Sequence, residues 1–229
     1  MSYAIPLAAP PTVGIAGSGL RFPVRRIYTI GRNYAAHARE TGLGGAGGSK
    51  PGVSLKPADS VIPDGSALPY PPGTEQLEPE VEMVAAIGRG GADIPPAAAL
   101  DHVFGYAVGF DMIRRDVMHA CIADQHSWDL CKSFDGASPV SDLALAENIG
   151  HPARGAITLA INGAERQRGD LSDLIWPVAE IVARLSALSR LEPGDLIFTG
   201  TPKGPGKVER GDRLEGVVEG IGRLTVDIA

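Results

Sequence analysis

Cysteine is scarce, with Cys121 and Cys131 the two in 229 residues. Two cannot build a disulfide framework, and they suit a reducing compartment as buried or idle thiols. No apolar run reaches the length of a membrane span, and the N-terminus lacks the pattern of a secretory signal. A cytoplasmic location is expected. Basic residues are scattered and outnumbered, 21 Lys and Arg against 27 Asp and Glu, so there is no nucleic-acid footprint. No internal repeat points to a solenoid or array.

Glycine and proline, by contrast, are plentiful, at 30 and 19 residues, beside 44% hydrophobic residues. That combination suits a turn-rich β protein and not a disordered chain. Residues 1–24, punctuated by Pro and Gly, read as an extended N-terminal arm. Residues 25–229 read as one domain, long enough to bury a substantial core. Strands are expected at 26–30, 53–56, 60–62, 80–87, 105–110, 157–161, 196–199, 213–219 and 223–228. Asn162-Gly163 after the apolar run 157–161 is a strong hairpin signal. Helices are expected at 34–40, capped by Asn33, at 114–123, and at 174–188 with Pro177 in the first turn. Pro69 to Pro79 should connect, and Gly42 to Gly52 should form a loop. Many short strands and few helices predict an α+β fold that is largely β, not a doubly wound one.

Three acids carry the chemistry. Glu80 and Glu82 precede the apolar run 83–87, and residues two apart on a strand share a face. Asp111 ends a similar run, 106–110. Carboxylates converging beside a core repel one another unless a cation or protons neutralise them. Oxygen ligands without a thiolate favour Mg²⁺, Mn²⁺ or Ca²⁺ over zinc. The competing reading is three solvated acids at strand ends. Glu78 repeats the spacing, but Glu80 and Glu82 abut the apolar run, and Pro79 is expected to break the strand before them.

His37 and Glu40 stand three apart on one helical face, where the carboxylate can fix the imidazole as a base for water. The alternative is an inconsequential surface pair. The glycine-rich loop that follows would let this helix close as a lid. Lys132, among apolar neighbours, is a candidate to stabilise an oxyanion or enolate, or else a snorkelling lysine. The loop Gly200 to Gly206 offers the Thr201 hydroxyl and backbone N–H groups to an anion, or is an ordinary turn. One of Arg114 and Arg115 can pair with a carboxylate of the site. His119 and His126 lack partners at metal-site spacing, and His102 and His151 read as structural.

Several stretches, taken in order, resemble the fumarylacetoacetate hydrolase family. They are Gly31-Arg32-Asn33-Tyr34-Ala35-Ala36-His37-Ala38-Arg39-Glu40, Lys56-Pro57, Glu80-Val81-Glu82, Gly105 to Asp111 with Arg115-Asp116, Lys132 to Asp135, and Pro193 to Pro202. Within the family the likeness is strongest to members that cleave fumarylpyruvate. The resemblance implies a mixed β-sandwich roll, a homodimer, and one Mg²⁺ or Mn²⁺ held by Glu80, Glu82 and Asp111. It implies His37 and Glu40 as the water-activating dyad and Lys132 as the stabiliser of developing charge. Thr201, with Arg32 or Arg115, would hold substrate oxygens. The implied reaction is metal-dependent C–C hydrolysis of an acylpyruvate (a 2,4-dioxo acid). An oxaloacetate decarboxylase, or an isomerase/decarboxylase, is the rival on the same metal site.

Overall fold

The computed structural model describes residues 3–6, 8–40 and 51–229. Strands β1 (Thr12–Gly14), β2 (Arg21–Pro23) and β3 (Arg26–Gly31) lead into helix α1 (Ala35–Glu40). Short strands β4 (Gly52–Lys56), β5 (Val61–Pro63) and β6 (Ser66–Leu68) precede two long ones, β7 (Leu77–Ile87) and β8 (Val103–Arg114). Then come α2 (Arg115–Ala123), α3 (Asp129–Lys132), β9 (Ser138–Val140), β10 (Ala144–Leu145) and α4 (Ala146–Ile149). The chain ends with β11 (Ala156–Ile161), β12 (Ala164–Asp170), α5 (Val178–Leu188), β13 (Asp195–Phe198), β14 (Arg213–Val218) and β15 (Gly222–Ile228).

A large mixed sheet runs β4-β3-β13-β7-β8-β9-β5, with β10 also on β8, and a smaller one runs β12-β11-β14-β15-β6. The result is the expected α+β, largely β roll. At its centre β7 and β8 pair antiparallel, and every residue of β7 is buried. Their alternation divides the molecule. One face presents Val81, Met83, Ala85, Val108 and Phe110 to Ile157, Leu159, Leu214 and Leu224 of the smaller sheet. The opposite face presents Val84, Ala86 and Ala107 to a second core. Further along that same face come the acids.

Four expectations need correction or comment. Residues 12–23 do not extend freely, because β1 and β2 pair as a hairpin. Val13, Ile15 and Phe22 then cover the second core, since that face of the large sheet would otherwise expose apolar area. Pro79 does not break a strand either: β7 runs through it, opposite Met112. The N–H groups of Leu77 and Val81 bond to Tyr70 Oη and Gln167 Oε1, away from β8. Pro79 lies between them with the same orientation, so no ladder bond is lost. Asn33 does not cap α1. Its amide donates to the carbonyls of Trp176 and Thr199 and accepts from the Trp176 N–H, stapling α1 to distant segments. The glycine-rich stretch expected as a lid loop falls largely at 41–50, outside the described residues, and Gly52 already belongs to β4.

Other local signals hold. Asn162 and Gly163 take φ of 52° and 76°, the left-handed pair that a two-residue hairpin requires. Helix α5 starts at Val178 and not at 174, with Pro177 as the extended residue before it and not in its first turn, but the expected stripe of Val178, Ile181, Val182 and Leu185 is buried.

The two sheets pack tightly at Gly216, where an added Cβ would lie 2.7 Å from the Phe110 ring and 3.2 Å from Val81 Cγ2. Gly216→Ala should therefore destabilise the fold by about 1–3 kcal/mol through overpacking. Urea unfolding measures this, and an unchanged midpoint would contradict the sheet packing.

Candidate active site

The β7–β8 register sets Glu80 directly across from Asp111, and Glu82 across from Gly109. Gly109 has no room for a side chain, since a Cβ there would lie 2.6 Å from both Phe198 and Val84. Glu80, Glu82 and Asp111 are buried, and a ligand oxygen from each lies within 4.8 Å of the others. Like charges opposite one another on a dry face are costly, so fixed donors must surround them.

Four elements supply those donors. Arg115, first residue of α2, bonds Glu78 Oε2 through Nε and Glu80 Oε1 through Nη2, both at 2.7 Å. Lys56, at the end of β4, donates to Asp111 Oδ1 at 2.7 Å and to the Ala137 carbonyl. Lys132, at the end of α3, donates to Asp111 Oδ2 and lies 3.9 Å from Glu80 Oε2. The Gly200 N–H, just past β13, donates to Glu82 Oε2 at 2.6 Å. Glu80 Oε2 and Glu82 Oε1 then accept no hydrogen bond from these donors, while Asp111 has both oxygens held, Oδ1 by Lys56 and Oδ2 by Lys132, so a cation bound by all three acids would take Oδ2 in competition with Lys132. Three hard donors in this arrangement fit a divalent cation such as Mg²⁺ or Mn²⁺.

The charge states follow from these contacts. Burial pushes the Glu82 carboxyl well above its ordinary value, and Asp111 and Glu80 add to the rise. Burial also opposes the Asp111 charge, but Lys132 and Lys56 overcome it and hold this carboxyl below its usual range. Burial lowers Lys56 despite Asp111. At Lys132 the balance reverses, because Asp111 and Glu80 outweigh burial and keep the ammonium charged.

His37 brings the imidazole. Its Nδ1 lies 3.3 Å from Glu40 Oε2 and its Nε2 lies 3.5 Å from Glu80 Oε1. Glu40 is itself held by the Gly204 N–H at 3.0 Å. The expected helical pair is therefore joined to the acid cluster on one side and to the Gly200–Gly206 loop on the other. A cavity of about 80 Å³ is bordered by Arg32, His37, Glu80, Arg115 and Lys132. Arg32 reaches it with a left-handed backbone, φ 61°. Thr201 is buried one residue beyond Gly200, and its hydroxyl accepts from Gln167 Nε2 at 2.9 Å.

Two participants had no role from the sequence. Lys56 stands in the Lys56-Pro57 pair, but its partnership with Asp111 spans 55 positions. A charged residue closing a strand was the one available signal. Gln167 is fully buried on β12, between the exposed Arg166 and Arg168. It ties Val81 N–H to Thr201 and to the Pro202 carbonyl.

The remaining candidates stay outside the cluster. Arg114 stacks on the Phe134 ring at 4.6 Å. His102 Nδ1 bonds the Arg89 carbonyl, and His151 Nδ1 bonds Tyr106 Oη. Cys131 is buried, which pushes its thiol up to about 11.

A mixed β roll with a buried three-carboxylate cluster and an imidazole–carboxylate pair at its edge defines an enzyme site suited to a hard cation. The model of the fumarylacetoacetate (FAA) hydrolase C-terminal family matches residues 26–229. The chain belongs to the fumarylacetoacetate hydrolase family.

Its relatives differ in activity. The fumarylpyruvate hydrolase of Pseudomonas aeruginosa, solved in complex with Mn²⁺ and pyruvate, is 46% identical, with a TM-score of 0.96 over 100% of this chain and 99% of that one. The mitochondrial oxaloacetate tautomerase FAHD1 of Homo sapiens is 38% identical over 89% of this chain and 91% of its own. The 5-carboxymethyl-2-hydroxymuconate delta-isomerase of Mycobacterium smegmatis is 32% identical, with a TM-score of 0.80 over 91% and 80% of the two chains. Among the described residues no helix is long and apolar enough to cross a membrane.

The raised Glu82 carboxyl links metal binding to pH. A carboxyl raised in the folded state contributes stability at low pH that is lost as pH rises through its folded value. A divalent cation must displace that proton, so its stabilising effect should grow with pH. Thermal melts with and without Mn²⁺ between pH 5.5 and 8 should show an increasing shift. Calorimetry in two buffers should show proton release on binding. A pH-independent shift with no proton release would contradict the placement of Glu82 among the ligands.

Proposed function

We propose that this protein is a divalent-metal-dependent hydrolase that cleaves the C–C bond of an acylpyruvate, fumarylpyruvate foremost, giving fumarate and pyruvate. The observation that carries this reading is the position of His37. It is held by Glu40 at one ring nitrogen, while the other faces Glu80 of the acid cluster. A decarboxylase acting on the same cluster has no need of a base poised for water, whereas a tautomerase would use the same imidazole to move a carbon-bound proton.

Glu80, Glu82 and Asp111 would hold Mg²⁺ or Mn²⁺, which when bound supplies Lewis-acid polarisation of the substrate's neighbouring oxygens. His37 takes the proton of the water that adds to the carbonyl farther from the pyruvyl end. Glu40 keeps the imidazole in the tautomer whose Nε2 can accept that proton, and stabilises the cation that forms. As the C–C bond breaks, the charge of Lys132 stabilises the pyruvate enolate. Thr201 can donate its own O–H to a substrate oxygen because its lone pair already accepts from Gln167. Arg32 and Arg115 border the small cavity and supply positive charge for the substrate's carboxylate.

A second reading, action on oxaloacetate, is favoured by the likeness to FAHD1. Decarboxylation of oxaloacetate would require the metal cluster but not the dyad, while its tautomerisation would use His37 to move a proton at carbon. A second copy of the chain is the proposed partner. Val53 and Leu55 on the edge strand β4 are exposed, and they border one hollow with Trp128 and Leu188. Exposed apolar side chains along a free sheet edge favour association.

Loss of the fumarylpyruvate enol absorbance should require Mg²⁺ or Mn²⁺, stop with EDTA, and yield pyruvate and fumarate. His37→Ala should slow it by about 10²–10⁴-fold while the metal-induced thermal shift remains. Turnover that survives in His37→Ala would remove His37 as the base, and rapid tautomerisation of oxaloacetate with no hydrolysis of fumarylpyruvate would transfer the assignment to the second reading. In sedimentation velocity the 23.8 kDa chain should run as a dimer and Leu55→Glu should shift it toward monomer. A wild-type monomer would remove the proposed partner.

A further inference from the structure

His37, Arg115 and Met118 border two cavities at once. One is the cavity of about 80 Å³ that also touches Arg32 and Lys132. The other, of about 740 Å³, opens on the far side of the dyad and lies within the size range of small-molecule sites. A base at the boundary of two cavities acts on a bond that spans it. The lysine- and arginine-bordered small cavity suits the pyruvyl end, so the larger one is left for the acyl group.

The larger cavity has two unlike walls. Arg115, Met118, His119, Ile122 and Ala123 are spaced i, i+3, i+4, i+7 and i+8, so one face of α2 forms the first. Beyond Arg115 and His119 that face is apolar, and Ile122 remains 37% exposed on it. The facing wall comes from Glu165 and Arg166 of β12 and the Gly204–Gly206 turn. Most of the charges around the cavity are already matched: Glu40 with His37, Glu78 with Arg115, and Glu165 with Arg168. Arg166 has no ion-pair partner among the described residues. An apolar wall in a cavity that is also lined by an arginine without an ion-pair partner among the described residues suits a carbon chain that ends in an anion.

We propose that this cavity is the acyl subsite and that Arg166 binds a carboxylate at the far end of the acyl group. The preferred substrates are then acylpyruvates with an extended, carboxylate-terminated acyl arm, ahead of those with a short uncharged one. The inference rests on the acylpyruvate reading of the site and assigns Arg166 a specificity role, not a catalytic one.

Two substrates with the same pyruvyl part test it: fumarylpyruvate, whose arm ends in a carboxylate, and acetylpyruvate, whose arm is a methyl group. Arg166→Ala should lower kcat/KM for fumarylpyruvate about tenfold, chiefly through KM, and leave acetylpyruvate within about twofold. Arg166→Lys should recover part of the loss. Equal effects on both substrates, or none on either, would overturn the proposal. Fumarate binding followed by calorimetry tests the subsite without turnover. Weaker binding to Arg166→Ala than to wild type supports it, and equal binding overturns it. If fumarate binds through Arg166 while neither acylpyruvate is cleaved, the hydrolase assignment fails and the anion subsite stands.

Discussion

The pairing of β7 with β8 is the constraint on which the rest depends. Its register puts Glu80 opposite Asp111 with Glu82 two residues on, and all three are buried. Side chains on a strand alternate, so the residues between them form the main core. The rigidity of a fully buried ladder is thereby transferred to the acids. A slip of one residue would turn the carboxylates into the core and the apolar set out of it. Register, core and site are one choice.

Such a cluster is stable only because its charges are answered. Lys56, Arg115, Lys132 and the Gly200 N–H come from β4, α2, α3 and the loop after β13, and each meets a particular carboxylate oxygen. A buried ion network contributes little net stability, because desolvation offsets most of the attraction, but leaving one member unmatched is expensive. The network therefore acts mainly on geometry. It orients the three carboxylates so that Glu80 Oε2 and Glu82 Oε1 stay clear of the fixed donors, while Lys56 and Lys132 hold the two oxygens of Asp111. Arg115 has a second duty, because the first turn of α2 carries it from the ladder to the boundary of both cavities. One helix thus helps neutralise Glu80 and also forms the wall that an acyl group would meet.

Legibility in the sequence followed the range of each interaction. The strand 80–87, the Asn162-Gly163 turn, the α5 stripe and the His37–Glu40 spacing all rest on neighbours within a few positions. Pro79 was misread because proline disfavours a strand only where its N–H would face a partner, and that side is known only once β8 is placed. Asn33 was misread because a capping side chain and a long-range staple have the same composition. The N-terminal residues read as an extended arm because Val13, Ile15 and Phe22 reveal nothing until the bare face of the large sheet is seen. Lys56 and Gln167 act across 55 and 86 positions, and no periodicity reports contacts at that distance.

By itself the sequence determined the β-rich class, the positions of most elements and the family resemblance, and it singled out the three acids and the imidazole as candidates. These depend on local sterics, on alternation along a strand and on helical spacing, all of which are written in adjacent residues. The tertiary structure alone decided which donors hold the oxygens of each acid, that Lys56 and Gln167 adjoin the acid cluster and its loop, and that α2 and β12 line a second cavity. Those depend on sheet order and strand register, which are set by the summed burial of the whole core and by no single segment.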